Sequence, residues 1–302
     1  MFDYSHPEDR TLKSKRPGPA PAGDATASGP SKMTCRASVA TELMEPGRPG
    51  TRVSGLRAQA PLVPRPTGAS GHEPFIDRDP DAARIALTSG AAGPLGGDHY
   101  RFDVDVGDGS SLLIREVSAT LVLPGVHGHP SLLETRAHVG ESATLVWIPE
   151  PVIAAKGCRH THRVDIDLAA DARLFYREEL VLGRHGEDPG DLSSALTVRR
   201  GGAPLSIQRF DLGPNSPGFN SPAVAGPGLG VGSIVIVDPD GGLPRETVVI
   251  DPQTSILPVG DTCVQITAVG SDALALRKRL DAALAHIGEP WGREQTWSAV
   301  PR

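Results

Sequence analysis

Short apolar runs separated by turn sequences make up most of the chain after residue 33. In the segments 100–106 and 164–168, apolar residues alternate with charged or polar ones, which is the pattern of half-buried β-strands. The other predicted strands are Leu112–Ile114, Leu132–Val139, Ala143–Ile148, Arg173–Leu182, Ser233–Val237, Thr247–Ile250 and Val264–Val269. Glycine, aspartate and proline fill the turns between them. The pattern predicts an all-β fold.

A repeated strand–turn–strand unit joins several of these strands. The segment Val106–Leu112 has a tight polar turn at its centre, and similar segments begin at Val139 and Leu168, with a looser copy at Val198. These starts lie about 30 residues apart, a spacing typical of repeat architectures. Because a lone hairpin cannot bury its apolar face, we expect successive hairpins to stack. The unit predicts an elongated, layered β-helix-like or β-solenoid-like fold; the alternative is a chance likeness among ordinary hairpins.

One amphipathic helix is predicted near the end of the chain. Its apolar face consists of Ala273, Leu276, Leu280, Ala283, Leu284 and Ile287. Ser271 is the candidate N-cap and Gly288 is the candidate stop. The helix either only docks on its own domain or also supports a surface for a partner.

The first 32 residues differ in composition from the rest. Proline, glycine, serine and alanine dominate the stretch from Arg16 to Ser31, which shows no apolar period and therefore predicts a disordered leader. Met33 opens the first strand-like sequence, so the leader is either a flexible tail or an extension upstream of a start at Met33. Residues 33–302 are predicted to form a single β domain.

Composition excludes several classes of protein. The net charge of −6 argues against a nucleic-acid surface, which needs clustered lysine and arginine. Cys35, Cys158 and Cys263 are odd in number and widely spaced, which fits a reducing cytosol better than a disulfide framework. No apolar run is long enough to span a membrane, and no secretory signal is present. We expect a cytoplasmic protein.

The best metal-like pattern is Cys158-Arg-His160-Thr-His162. Residues two apart on a strand share a face, and thiolate and imidazole suit Ni²⁺ or Zn²⁺. His127 and His129 would add ligands if their turn folded back. The alternative is a polar strand face with a packed cysteine.

Glu178 and Glu179 are adjacent acids in a predicted strand. Neighbours in a strand point to opposite faces, so they do not form a paired acid/base dyad. We expect one to be exposed and the other to form a salt bridge with Arg177 or Arg173.

No nucleophile elbow, phosphate-binding P-loop or His-Glu-x-x-His metal motif occurs in the sequence. The chain therefore offers no catalytic motif, and any nucleotide hydrolysis would belong to a partner.

Three landmarks carry a family resemblance. They are the turn Gly93–Asp98, the segment Trp147–Ile153 and the loop Leu182–Glu187. In this order they resemble the urease accessory protein UreD (UreH) family, whose pattern is Gly-Gly-x-x-x-Gly-Asp, Leu-x-x-x-Pro-x-x-Ile and Gly-Arg-x-x-x-Gly-Glu. The resemblance covers roughly residues 34 to 215 well and the C-terminal third loosely. It implies a β-helix-like fold with few helices.

The resemblance implies a urease maturation factor that is not an enzyme. Members are expected to bind the accessory protein UreF, to recruit the nickel-carrying GTPase UreG and to dock on apo-urease, as part of a dimeric UreD–UreF–UreG assembly. The family is thought to conduct nickel through an internal tunnel, so the implied ligand is a transient nickel ion and no cofactor is bound tightly.

Asp98 and Glu187 match the acidic positions of the family pattern, and glycines beside them allow sharp turns. Each carboxylate either faces a water-filled nickel passage or braces its loop through hydrogen bonds. Arg184 is the natural ion-pair partner for either acid. The family's Thr-Thr-x-x-x-Thr-Lys segment is altered, since Leu121 stands where the lysine is expected.

The competing hypothesis from another class is a β-solenoid carbohydrate-active enzyme that uses surface carboxylates. Such an enzyme should carry several aromatic platforms for sugar rings. The chain has only three tryptophans and three tyrosines, which favours the urease accessory role.

Overall fold

Strands account for nearly all regular structure in the computed structural model, which describes residues 32–44, 50–69, 73, 76 and 80–291. The strands are β1 (Thr34–Leu43), β2 (Thr51–Arg57), β3 (Leu62–Pro66), β4 (Ala83–Ser89), β5 (His99–Val106), β6 (Ser111–Glu116), β7 (Thr120–Val122), β8 (Ser131–Val139), β9 (Thr144–Ile148), β10 (Val152–Ala154), β11 (Arg159–Leu168), β12 (Arg173–Leu182), β13 (Asp191–Arg200), β14 (Ala203–Leu212), β15 (Gly230–Val237), β16 (Val248–Asp251), β17 (Thr254–Pro258) and β18 (Cys263–Gly270). One helix, α1 (Ala273–Ile287), follows them within the described residues.

The repeated unit of the sequence is an arch that joins two sheets. β5, β8 and β11 pair in parallel in one sheet, and the strands that follow their turns, β6, β9 and β12, pair in parallel in the other. The predicted β-solenoid-like stack is confirmed, but the description of these three units as hairpins is wrong. Only the looser fourth copy, β13 with β14, is an antiparallel hairpin.

Each sheet has a parallel centre and antiparallel edges. The first sheet has the order β14-β13-β11-β8-β5-β1-β2. The second has the order β16-β17-β18-β15-β12-β9-β6-β4-β3, with β10 and β7 attached beside β12. The parallel strands come from successive arches. Each arch adds its first strand to the first sheet and its second strand to the second sheet, beside the strands of the preceding arch.

Period-two alternation sends apolar side chains between the sheets. On β11, Val164 and Ile166 are buried, whereas Asp165 and Asp167 lie on the outer face. With β5, β8, β9 and β12 they form an apolar cluster near the arch turns, which we call the arch cluster. A second apolar cluster, the far cluster, includes Leu182 at the other end of β12 together with Ala154 of β10 and Leu192 of β13.

The helix α1 covers the outer face of the second sheet. Leu276, Leu280, Ala283 and Leu284 are buried against β12, β15 and β18, which confirms the predicted amphipathic helix. Ser271 is not the N-cap: the Asp272 side chain accepts the Ala275 backbone N–H at 2.8 Å and caps the helix. Gly288 ends the helix, as predicted, with a φ of 78°.

The predicted leader, residues 1–32, lies outside the described residues except for Lys32. Cys35, Cys158 and Cys263 are buried and free. No helix in the described part of the chain is long and apolar enough to cross a membrane.

Candidate functional site

The second sheet is interrupted at one level by the segment Pro149-Glu150-Pro151. β9 pairs with β12 as far as Tyr176, and β10 resumes the pairing at Leu180. Proline has no backbone N–H to donate to a neighbouring strand, so the two prolines prevent continuous pairing. The landmark Trp147–Ile153 thus opens a gap in the sheet beside residues 177–179.

A polar layer separates the arch cluster from the far cluster at the level of this gap. The inward face of β11 changes from valine and isoleucine to His162 and His160, and that of β12 carries Glu178 between Tyr176 and Leu180. All of these polar side chains are buried. Buried polar groups are costly unless they find partners, so this layer is the part of the interior that packing alone does not explain.

The Glu178 carboxylate is the centre of the polar layer. Its Oε1 atom accepts a hydrogen bond from the Ser194 hydroxyl at 2.5 Å, and it lies 3.3 Å from Nδ1 of His162. Glu178 is 2% exposed, so these neighbours take the place of water around the carboxylate.

A cavity of about 70 Å³ occupies the polar layer and the gap. Its polar lining includes Glu116, Glu150, Glu178, Glu179 and His162, and its apolar lining includes Tyr100, Phe102, Trp147 and Tyr176. A water molecule needs roughly 10–15 Å³ of such space, so the cavity has room for several. Because Glu178 and Glu179 point to opposite faces of β12, the cavity reaches both sides of the second sheet.

A buried charge network lies on the helix side of the gap. Nε of Arg177 donates to Glu179 at 2.7 Å, and Nη1 donates to Asp281 of α1 at 2.8 Å. Arg277, also on α1, donates to Glu150 at 2.9 Å and to Glu179 at 3.2 Å. The network holds α1 over the gap. On the opposite face of β12, no arginine among the described residues contacts Glu178.

Glu116 ends β6 and adds a further carboxyl group to the cavity wall. Desolvation raises its pKa to about 8, against a hydrogen bond from the Glu150 backbone that lowers it. At neutral pH the Glu116 carboxyl group therefore holds a proton that a cation entering the cavity would displace.

Asp98 braces the first landmark. Its carboxylate accepts the backbone N–H of Met33 at 2.9 Å, the backbone N–H of Leu95 at 2.9 Å and the Tyr100 hydroxyl at 2.8 Å. Asp98 is 3% exposed and is absent from the cavity wall. Of the two roles that the sequence left open, these contacts favour loop bracing.

At Gly125 a second loop packs against the backbone of the first landmark, Gly93–Asp98. A Cβ atom added at Gly125 would lie 2.2 Å from the carbonyl oxygen of Gly96, a distance that no side chain tolerates. Glycine at positions 96 and 125 thus permits backbone contact between the two loops.

Glu187 braces the third landmark together with Arg184. The Arg184 guanidinium donates to both carboxylate oxygens, at 2.8 and 2.7 Å, and the Arg184 backbone N–H donates to the same group at 3.2 Å. The hydrogen bond from Arg184 is the main cause that lowers the pKa of Glu187 to about 2. Arg184 pairs with Glu187 and not with Asp98, and none of the three residues lines the cavity.

The predicted metal-ligand set is only partly brought together. His160 and His162 share the inward face of β11, with ring centroids 6.5 Å apart. His127 and His129 lie on an exposed turn, with ring centroids 6.4 Å apart. Within the described residues, no group of three or more histidine, cysteine, aspartate or glutamate side chains is placed to hold one metal ion.

Cys158 is a thiol in the far cluster. Its sulfur lies 3.9 Å from the Asp191 carbonyl oxygen, and burial raises its pKa to about 11, with the charge of Asp191 adding to the shift. Since the thiolate is the form that binds metals, Cys158 is a packing residue at neutral pH.

Asp98→Asn is expected to lower the free energy of unfolding by about 1–3 kcal/mol, because an amide replaces one acceptor oxygen with a donor and leaves a buried N–H unpaired. Asp105→Asn, on the exposed face of β5, is the control and should change little. Chemical denaturation of both variants measures the difference. Equal stability of the two variants would contradict the bracing role.

Sequence reasoning missed most of the cavity wall. It expected one of Glu178 and Glu179 to be exposed, which is wrong: both are 2% exposed, because β12 is covered by the first sheet on one face and by α1 on the other. The predicted salt bridge to Arg177 is present, at Glu179. Glu150 had a usable signal, since it stands between the two prolines of a landmark. Glu116 had none.

The chain was compared with known proteins. A sequence model described as UreD urease accessory protein matches residues 36–302. A urease accessory protein UreD of Parafrankia sp. is 39% identical over 273 residues, covering 84% of this chain and 89% of that protein. Proteins of the same name from Streptomyces avermitilis and Streptomyces coelicolor are each 38% identical, covering 80% of this chain and 93% and 92% of their own lengths.

The fold and the site together define a β-solenoid-like protein with a cavity lined by charged residues in its interior. The described part of the chain shows no group of residues typical of an enzyme active site. The chain belongs to the UreD family of urease accessory proteins.

Proposed function

We propose that this chain is a non-catalytic scaffold in urease maturation, and that its polar interior passes Ni²⁺ toward the urease active site. The observation that carries the proposal is the cavity lined by four glutamates and a histidine between two apolar clusters. Membership of a urease accessory family supports the same role. No tightly bound cofactor is required.

The chemistry of the wall suits a divalent ion in transit. Carboxylate oxygen and imidazole nitrogen both bind Ni²⁺, and water in the cavity can fill the remaining coordination positions. Glu178 on the inner side of the gap and Glu150 on the outer side attract a cation without enclosing it. A site with few protein ligands at each position lets the ion leave as readily as it enters.

The proposed partners follow from the family resemblance. UreF would bind the chain, UreG would deliver nickel, and apo-urease would receive it, in a dimeric UreD–UreF–UreG assembly in the cytosol. In this arrangement UreG supplies the nucleotide hydrolysis.

Glu150→Gln and Glu178→Gln test the passage. Each amide keeps the size of the side chain but removes the negative charge, and we expect nickel per urease active site to fall about tenfold at limiting nickel, the loss typical of a changed metal environment. The measurement is nickel content of urease matured in cells that produce the full accessory set. Glu141→Gln, on an exposed turn, is the control.

Two further measurements separate passage from folding: the melting temperature of each variant and the amount of urease and UreF that copurifies with it. Nickel that falls only in proportion to stability or to complex recovery would refute the passage. Normal nickel loading in both variants would refute it as well.

The carbohydrate-active alternative gains no support from the structure. Tyr100, Trp147, Tyr176 and Trp291, the tryptophans and tyrosines among the described residues, are all buried and offer no platform for a sugar ring. The carboxylates line an interior cavity in place of an exposed groove.

A further inference from the structure

Two buried histidines stand between the interior cavity and the surface. His162 lines the cavity, and His160, one step further along the inward face of β11, lines a groove at the end of the first sheet. Asp191 and Asp211 also line this groove. His160 and His162 are 3% and 7% exposed, and their rings are tilted by only 29°. The pair therefore forms the wall between two polar spaces.

Each of these histidines has a ring nitrogen without a hydrogen-bond partner. Nδ1 of His160 is 2.8 Å from the Ser131 hydroxyl, whereas its Nε2 is buried and unpartnered. Nδ1 of His162 is likewise buried without a hydrogen bond, although Glu178 lies 3.3 Å away. An unsatisfied buried polar atom is costly, so two on one strand face indicate a position that a ligand or water fills.

The state of His160 suits a metal ligand. When Nδ1 donates its proton to the Ser131 hydroxyl, Nε2 carries a free lone pair. Neutral imidazole is the form that binds transition metals.

We propose that His160 and His162 form a two-step relay that transfers Ni²⁺ between the groove and the interior cavity. The ring centroids, 6.5 Å apart, are too far for a close shared site, so each imidazole binds the ion in turn. At the inner step Glu178 supplies a carboxylate beside His162. No bond other than the metal–ligand bonds forms or breaks. The relay rests on the function proposed above.

His160→Gln and His162→Gln test the relay in the full chain, produced together with urease and the accessory proteins. Glutamine keeps a hydrogen-bonding side chain of similar length but binds Ni²⁺ poorly. We expect nickel per urease active site to fall about tenfold in each variant at limiting nickel. The matched control is the double variant His127→Gln/His129→Gln, which removes two histidines of nearly equal separation from an exposed turn and should load normally.

A second measurement distinguishes a relay from packing. A weakened ligand is compensated by a higher ion concentration, so excess Ni²⁺ in the medium should restore loading in the relay variants. A deficit that persists at excess Ni²⁺ and follows the melting temperature would overturn the relay, because that is the result of misfolding. Loading equal to that of the control variant would also overturn it.

The glutamate variants of the cavity, measured in parallel, separate this proposal from the one on which it rests. Reduced loading in Glu150→Gln and Glu178→Gln with normal loading in both histidine variants would refute the relay and leave the passage intact. Normal loading in all four variants would refute the passage itself.

Discussion

Arg177→Met is expected to lower the free energy of unfolding by about 1.5–3 kcal/mol, because the buried Glu179 charge loses the closer of its two arginine partners. The Glu179 side chain is fully buried and receives hydrogen bonds from Arg177 and Arg277. Methionine fills much of the space that arginine occupies. The decrease in the free energy of unfolding therefore measures the effect of the missing charge and not that of a cavity. Removing Arg177 also frees Asp281, which holds α1 against β12.

Arg209→Met is the matched control for this prediction. Arg209 pairs with Asp211 two residues along β14, as Arg177 pairs with Glu179 two residues along β12, but its side chain is 68% exposed. Exposed pairs contribute about 0–1 kcal/mol. Denaturation of both variants under the same conditions measures the contrast.

The double variant Arg177→Met/Glu179→Gln checks the cause. Neutralising Glu179 removes the buried charge that has lost its closer partner, so the double variant should be more stable than Arg177→Met alone. Equal losses in Arg177→Met and Arg209→Met, or no recovery in the double variant, would show that the network does not stabilise the fold.

Much of the fold was predictable because strand periodicity is a local property. The run Arg173–Leu182 was predicted with the bounds that β12 has, and α1 was predicted from its apolar face. The choice of which strands pair does not depend on the local sequence alone. An arch and a hairpin have the same sequence pattern of strand, polar turn and strand, and only the neighbouring units decide which one forms.

The cavity wall could not be predicted for the same reason. Glu178 and Glu179 are buried by elements far away in sequence, namely β13, whose Ser194 contacts Glu178, and α1, whose Arg277 contacts Glu179. Glu116 is brought beside Glu150 by the parallel pairing of β6 with β9. The acids that were predicted, Asp98 and Glu187, stand in local turns, where glycines mark them.

Two of the three landmarks nevertheless reach the site. The prolines of the second landmark open the sheet, and Gly93 and Pro94 of the first landmark line the cavity beside the loop that Asp98 braces. We infer that the most recognisable residues of the sequence shape the cavity, whereas less recognisable carboxylates line it.

Ionisation of Glu116 should destabilise the protein as the pH rises, and Glu116→Gln should abolish this effect. The usual pKa of a glutamate is 4.5, and desolvation raises that of Glu116 to about 8. Between these values the folded chain holds a proton that the unfolded chain has released, so stability falls as the pH rises through this window.

Glutamine cannot ionise. We therefore expect Glu116→Gln to match the unmodified protein near pH 4.5 and to exceed it in melting temperature at pH 9, whereas the exposed control Glu141→Gln follows the unmodified protein throughout. If the melting temperatures of all three proteins changed with pH in parallel, Glu116 would ionise freely and would not lie in a desolvated wall.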